Sequence, residues 1–184
     1  MKKAAQHIGL SVTKTAGFGL LLMCGASWLG QLPAFHMNMA AGSLAIAAGL
    51  LGLWQMMRSL RPVKDVPAAL VVTTFLFAAL ANGSVIFSAA TFLLGQFVPL
   101  QSLVASLAVF AFLGSKYVYW RKRGGTHSPD QRQRRVFSLL LLNFTFFLML
   151  FCPNFPWVSI CATVLVVVAT WIERSLFLTD ETDV

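Results

Sequence analysis

The sequence predicts an all-α, polytopic membrane protein: six transmembrane helices in an up-and-down bundle, both termini on the cytoplasmic side. Three observations lead there. Of 184 residues, 58% are hydrophobic and only 11% charged, under half the roughly 25% charge of an ordinary soluble domain. A water-soluble chain of this size must cover itself with polar groups, so its solvent is largely lipid. Apolar runs long enough to cross a bilayer recur along the chain, and the cations gather in a few islands between them.

Crossing a hydrocarbon core of roughly 30 Å takes about 20 mainly apolar residues. Backbone groups in lipid must pair within their own segment, which makes each run a helix. The first run, about 15–33, follows "MKKAAQHIGLSVTKTAGFGLLLMCGAS", a stretch that resembles a signal peptide. The bulky Met23 before Cys24, and the spans that follow, favour an uncleaved first span. The second, about 38–57, contains "AAGSLAIAAGLLG". That stretch sets Ala41, Ala45 and Gly49 one turn apart with Ala48 and Gly52 alongside, a ridge for close helix packing. The third and fourth cover about 67–90 and 97–117. The fifth, about 136–153, carries Asn143 and Thr145, and the sixth, about 156–177, is edged by the interfacial anchors Trp157 and Trp171.

Charge fixes the orientation. Lys2, Lys3 and Lys14 precede or open the first span, and Arg58, Arg61 and Lys64 separate the second from the third. Lys116, Arg121, Lys122, Arg123, Arg132, Arg134 and Arg135 surround the loop 118–135, and Arg174 ends the sixth span. The intervening loops "GQLPAFHM", "LGQFVPLQ" and "CPNFPW" carry no Lys or Arg. Basic loops stay cytoplasmic, so the net charge of +8 reads as topology and not as a nucleic-acid surface. All six acidic residues fall on the same side.

Little chemistry is visible inside the bilayer. The mid-span polar groups are Asn82, Ser84, Asn143 and Thr145, suited to interhelical hydrogen bonds. The histidines are His7, His36 and His127, and no two of them face each other as haem ligands would. No catalytic constellation and no metal-ligand spacing is expected. His36 sits at the outer interface near Trp28 and Asn38, where an imidazole could bond a quinone carbonyl and exchange its proton. Glu173 and Arg174 meet the inner interface. Adjacent helical residues do not face each other, so each is expected to contact a neighbouring span, a headgroup or a bound subunit.

Several stretches resemble the membrane-anchor subunit of dimethyl-sulfoxide-reductase-type molybdoenzymes. "ASWLGQLPAF" (26–35) is similar to the approach to that family's outer quinone loop, and "AAGSLAIAAGLLGLW" (40–54) to the small-residue span after it. "KYVYWRKRG" (116–124) and "IERSLFL" (172–178) look like its tyrosine/tryptophan–arginine and glutamate–arginine stretches. Together they cover about a quarter of the chain. The place of the family's loop histidine falls near Gly30, with His36 a few residues on, and Asn38 stands where the family has an acidic residue.

The resemblance implies an anchor in a bacterial-type inner membrane that holds an iron–sulfur subunit and a molybdenum catalytic subunit. It also implies electron exchange with quinone near Trp28, His36 and Asn38. Iron–sulfur clusters and molybdopterin would then belong to the partners. Two other readings of the residues stay open: a neutral-solute transporter with a lumen lined by Asn82, Gln96 and Asn143, and an assembly factor without chemistry.

The topology has a direct test. A cysteine placed at Ser128, in a chain lacking Cys24, Cys152 and Cys161, is expected to react with a membrane-impermeant maleimide only in inverted vesicles. Reaction in intact cells would reverse the orientation.

Overall fold

The computed structural model describes residues 2–30, 36–58, 66–95, 99–123, 129–152 and 155–182. Six helices account for nearly all of them: α1 (Lys2–Gly30), α2 (His36–Arg58), α3 (Ala68–Leu93), α4 (Pro99–Arg123), α5 (Pro129–Phe151) and α6 (Pro156–Thr182). Five contain segments long and apolar enough to cross a membrane: Leu10–Ser27, Ala68–Leu93, Leu100–Lys122, Pro129–Phe151 and Trp157–Leu176. In α2 the apolar stretch among the described residues is shorter, Ser43–Gln55.

Helix starts follow local chemistry. Pro99, Pro129 and Pro156 each occupy a first helical position, where the missing N–H would have had no intrahelical partner. Pro67 is the N-cap of α3. That helix ends at Leu93 with Leu94 as its C-cap, followed by Gly95, whose φ of +67° suits a residue without Cβ. The described parts of the basic stretch, 118–123 and 129–135, are helical. Helix α4 runs on to Arg123, and α5 opens with Asp130, which pairs with Arg134 one turn later at 3.1 Å. Lys, Arg and Gln are good helix formers, so both helices take in basic residues that composition alone assigns to the loop.

The arrangement is more than a sequential zigzag. Helix α3 packs on α4, α4 on α5, α5 on α6, and α6 returns to α3, closing a four-helix ring. Short connections make sequence neighbours antiparallel. Helix α1 lies against α3 and touches α6, while α2 packs on α1 at the periphery. The ring's core is built from small and medium residues: Ala78, Ala81 and Val85 of α3, Val109 and Phe112 of α4, Leu142 and Met149 of α5, and Val166 of α6.

Glycine permits two close crossings. A Cβ on Gly19 would collide with the carbonyl of Ala79, and one on Gly83 with the backbone of Gly19. The α1 and α3 backbones therefore touch, and dispersion between them needs both positions bare. In α2, Gly49 and Gly52 meet Phe18 and Leu22 of α1. Ala48 faces outward, so the contact ridge uses only part of the small-residue pattern.

Gly83→Ala is expected to lower stability by on the order of 1–3 kcal/mol, measured by reversible unfolding in SDS. Gly17→Ala, which has no atom within 4 Å of its added methyl, should leave the transition in place.

Candidate functional site

One end of the ring, where α4 and α6 finish and α3 and α5 begin, encloses a cluster of charged side chains. At 1.5 Å per residue, Lys116 lies about 25 Å along α4 from Pro99, and Glu173 about 25 Å along α6 from Pro156. Equal spacing from the opposite ends places the two at one depth. Lys116 Nζ and Glu173 Oε2 are 2.5 Å apart, with the lysine side chain wholly buried and the glutamate 11% exposed.

The lysine charge is compensated from all sides. Its ammonium also donates to the Ser138 hydroxyl, which in turn donates to the carbonyl of Ala169 at 3.0 Å. The chain Lys116–Ser138–Ala169 thus ties α4, α5 and α6 together. Aromatic rings complete the surroundings: Nζ stands 4.8 Å from the Trp120 centroid and 5.6 Å from that of Phe112. Arg135 approaches the same Trp120 ring at 5.5 Å. Stripped of water, a charge costs several kcal/mol unless its partners are this close.

Arg174, though next to Glu173 in sequence, points another way. Its guanidinium lies 3.3 Å from the Phe75 ring centroid on α3 and donates to Thr15 Oγ1 of α1 at 3.5 Å. The Thr15 hydroxyl is itself committed to the Ser11 carbonyl at 2.7 Å. Arg174 is therefore the link between α6 and the α1–α3 pair. Two turns of α3 further in, the Asn82 amide nitrogen donates to Thr170 Oγ1 (2.8 Å) and to the Ala78 carbonyl (2.7 Å), again joining α3 to α6.

Beside the cluster, Thr74, Phe75, Phe112, Tyr119, Thr170 and Arg174 help to wall a small cavity. It has room for about one water molecule. No group of three or more His, Cys, Asp or Glu that could hold a metal occurs among the described residues.

The residues singled out from sequence fall in different places. Trp28 belongs to the end of α1, and His36 and Asn38 to the start of α2, but their side chains lie outside the described residues, as does Gln96. Glu173 and Arg174 each contact a neighbouring span, α4 for the first and α1 with α3 for the second. Asn82 is buried, whereas Asn143 is exposed on the outer face of α5.

Lys116 and Arg135, counted from sequence with the loop cations, are instead core residues. A signal for this was present. Ala105, Val109, Phe112, Lys116 and Tyr119 are buried at alternating steps of four and three, as are Arg135, Ser138, Leu142, Thr145 and Met149. Each charge continues the buried stripe of its helix.

No family model matches the chain, nor does any curated protein or solved structure.

Glu173→Gln, which leaves Lys116 charged and unpaired, is expected to cost on the order of 3–5 kcal/mol in SDS unfolding. Replacing both partners, Lys116→Met with Glu173→Met, should recover most of that loss. A single variant as stable as the original chain would show that the pair carries no such tension.

Proposed function

We propose that this chain is the membrane-anchor subunit of an oxidoreductase complex. It is a six-span bundle in a bacterial-type plasma membrane, with both termini and the basic segments cytoplasmic. Its partners are an iron–sulfur subunit and a molybdenum catalytic subunit, and quinone exchanges electrons at the outer hairpin between α1 and α2. The anchor supplies no redox centre of its own. His36 bonds one quinone oxygen, with Trp28 and Asn38 beside it, while the partner's nearest cluster takes or gives the electrons.

The observation that supports anchoring over solute transport is the closed interior. Inside the ring the Asn82 amide nitrogen is spent on Thr170 and Ala78 while its oxygen is buried without a hydrogen-bond partner, and the cavity walled by Thr170 and Ala78 is only water-sized. Asn143, the other amide a polar lumen would need, faces away from the core. The sequence likenesses at 26–35, 40–54, 116–124 and 172–178 support the choice of partners.

Purification in mild detergent is expected to bring molybdenum and iron with the chain, measured by elemental analysis. Isolation without either metal, as a homo-oligomer, would reject the assignment. In the intact complex, His36→Ala should abolish quinol-dependent reduction while metal content and assembly stay unchanged. Undiminished turnover would remove His36 from the quinone site.

A further inference from the structure

We propose that the cavity beside Arg174 is an anion site that takes a phosphate group, contributed by an anionic phospholipid headgroup or by free phosphate. This goes beyond anchoring and does not depend on which partner the chain holds.

The inference begins with charge. Lys116, Arg174 and Glu173 are all buried, and the single carboxylate is committed to Lys116 at 2.5 Å. Arg174 is left with a ring face and one hydroxyl at 3.5 Å. Its Nε has no hydrogen-bond acceptor, and among the described residues no carboxylate lies within ion-pair distance of it. A guanidinium withdrawn from water needs an anion more than it needs a ring, and its planar fork matches the paired oxygens of a phosphate.

The surroundings fit that ligand. Arg174 forms part of the cavity wall together with Thr74, Tyr119, Thr170 and the Glu173 carboxylate, whose charge is met by Lys116. The Thr74 and Thr170 hydroxyls donate to the Leu70 and Val166 carbonyls, so the arginine is the group that meets a phosphate oxygen. With room for about one water molecule, the space accepts an oxygen or two of a tethered or free phosphate but not a whole organic solute. The site also stands about 25 Å from the far ends of α4 and α6. That is within a turn or so of the edge of a roughly 30 Å hydrocarbon core, close to the plane of lipid phosphates. Basic residues at the surface attract anionic headgroups without selecting a position; a buried arginine on a cavity wall selects one.

The test uses the full chain in nanodiscs of phosphatidylcholine, with or without phosphatidylglycerol, and in phosphatidylcholine discs with added inorganic phosphate. Unfolding temperature is the readout. Phosphatidylglycerol is expected to raise it by several degrees, and Arg174→Gln to abolish that rise. The double variant Arg121→Gln with Lys122→Gln, at exposed positions, should keep it. A rise with inorganic phosphate alone assigns the free ion as the source; a rise only with phosphatidylglycerol assigns the headgroup. Should Arg174→Gln fail to fold, Arg174→Lys decides, expected to lose most of the shift because an ammonium lacks the guanidinium fork. The proposal is overturned if neither probe stabilises the original chain, or if a folded variant at position 174 is stabilised as much as it is.

Discussion

The ion pair between Lys116 and Glu173 joins helices that do not otherwise pack on one another directly. Helices α4 and α6 stand across the ring, separated by α3 on one side and α5 on the other. A bond at 2.5 Å between their side chains therefore spans the bundle axis and sets its width at that level. Apolar contact cannot fix such a width in lipid, because the hydrocarbon outside a membrane helix is as favourable as the side chains inside. Hydrogen bonds and charge pairs have direction, and at this end they determine which faces of α4, α5 and α6 turn inward.

The opposite requirement holds where α1 crosses α3. There the contact is made by leaving side chains out, so that Gly19 and Gly83 bring two backbones together. Dispersion grows steeply as surfaces close, and only bare positions permit that approach. The molecule thus uses two kinds of adhesive. Directional polar bonds hold the ring, and close packing holds the α1–α2 pair against it. Arg174 is the point at which the two meet, since it belongs to the ring yet bonds α1 through Thr15.

Much of this was legible in the residues, and unevenly so. Six helices and their approximate limits follow from apolar run length, because hydrocarbon thickness is a fixed ruler. The ring was not foreseen: run length carries no information about which non-adjacent helices touch, and α3 with α6 is such a pair. Lys116 and Arg135 were assigned to the loop because composition places a cation at the nearest water. Their helical phase puts them inside, and phase is the stronger indicator when a long side chain can reach a partner. Gly19 escaped notice because a crossing needs one small residue on each helix, and the sequence does not mark which two will face. Trp28, His36 and Asn38 rest on sequence alone.

The order of synthesis gives the Lys116–Glu173 pair a temporal side. Lys116 leaves the ribosome well before its carboxylate, by roughly 3–11 s at about 5–20 residues per second. During that interval the ammonium is without its counter-charge, and a nascent α4 seated at full depth would hold a bare cation in hydrocarbon. The flexible lysine stem can keep its head in water by snorkelling toward the nearer interface. The charge of Lys116 is thus neutralised at its final depth only once α6 has brought Glu173 to it.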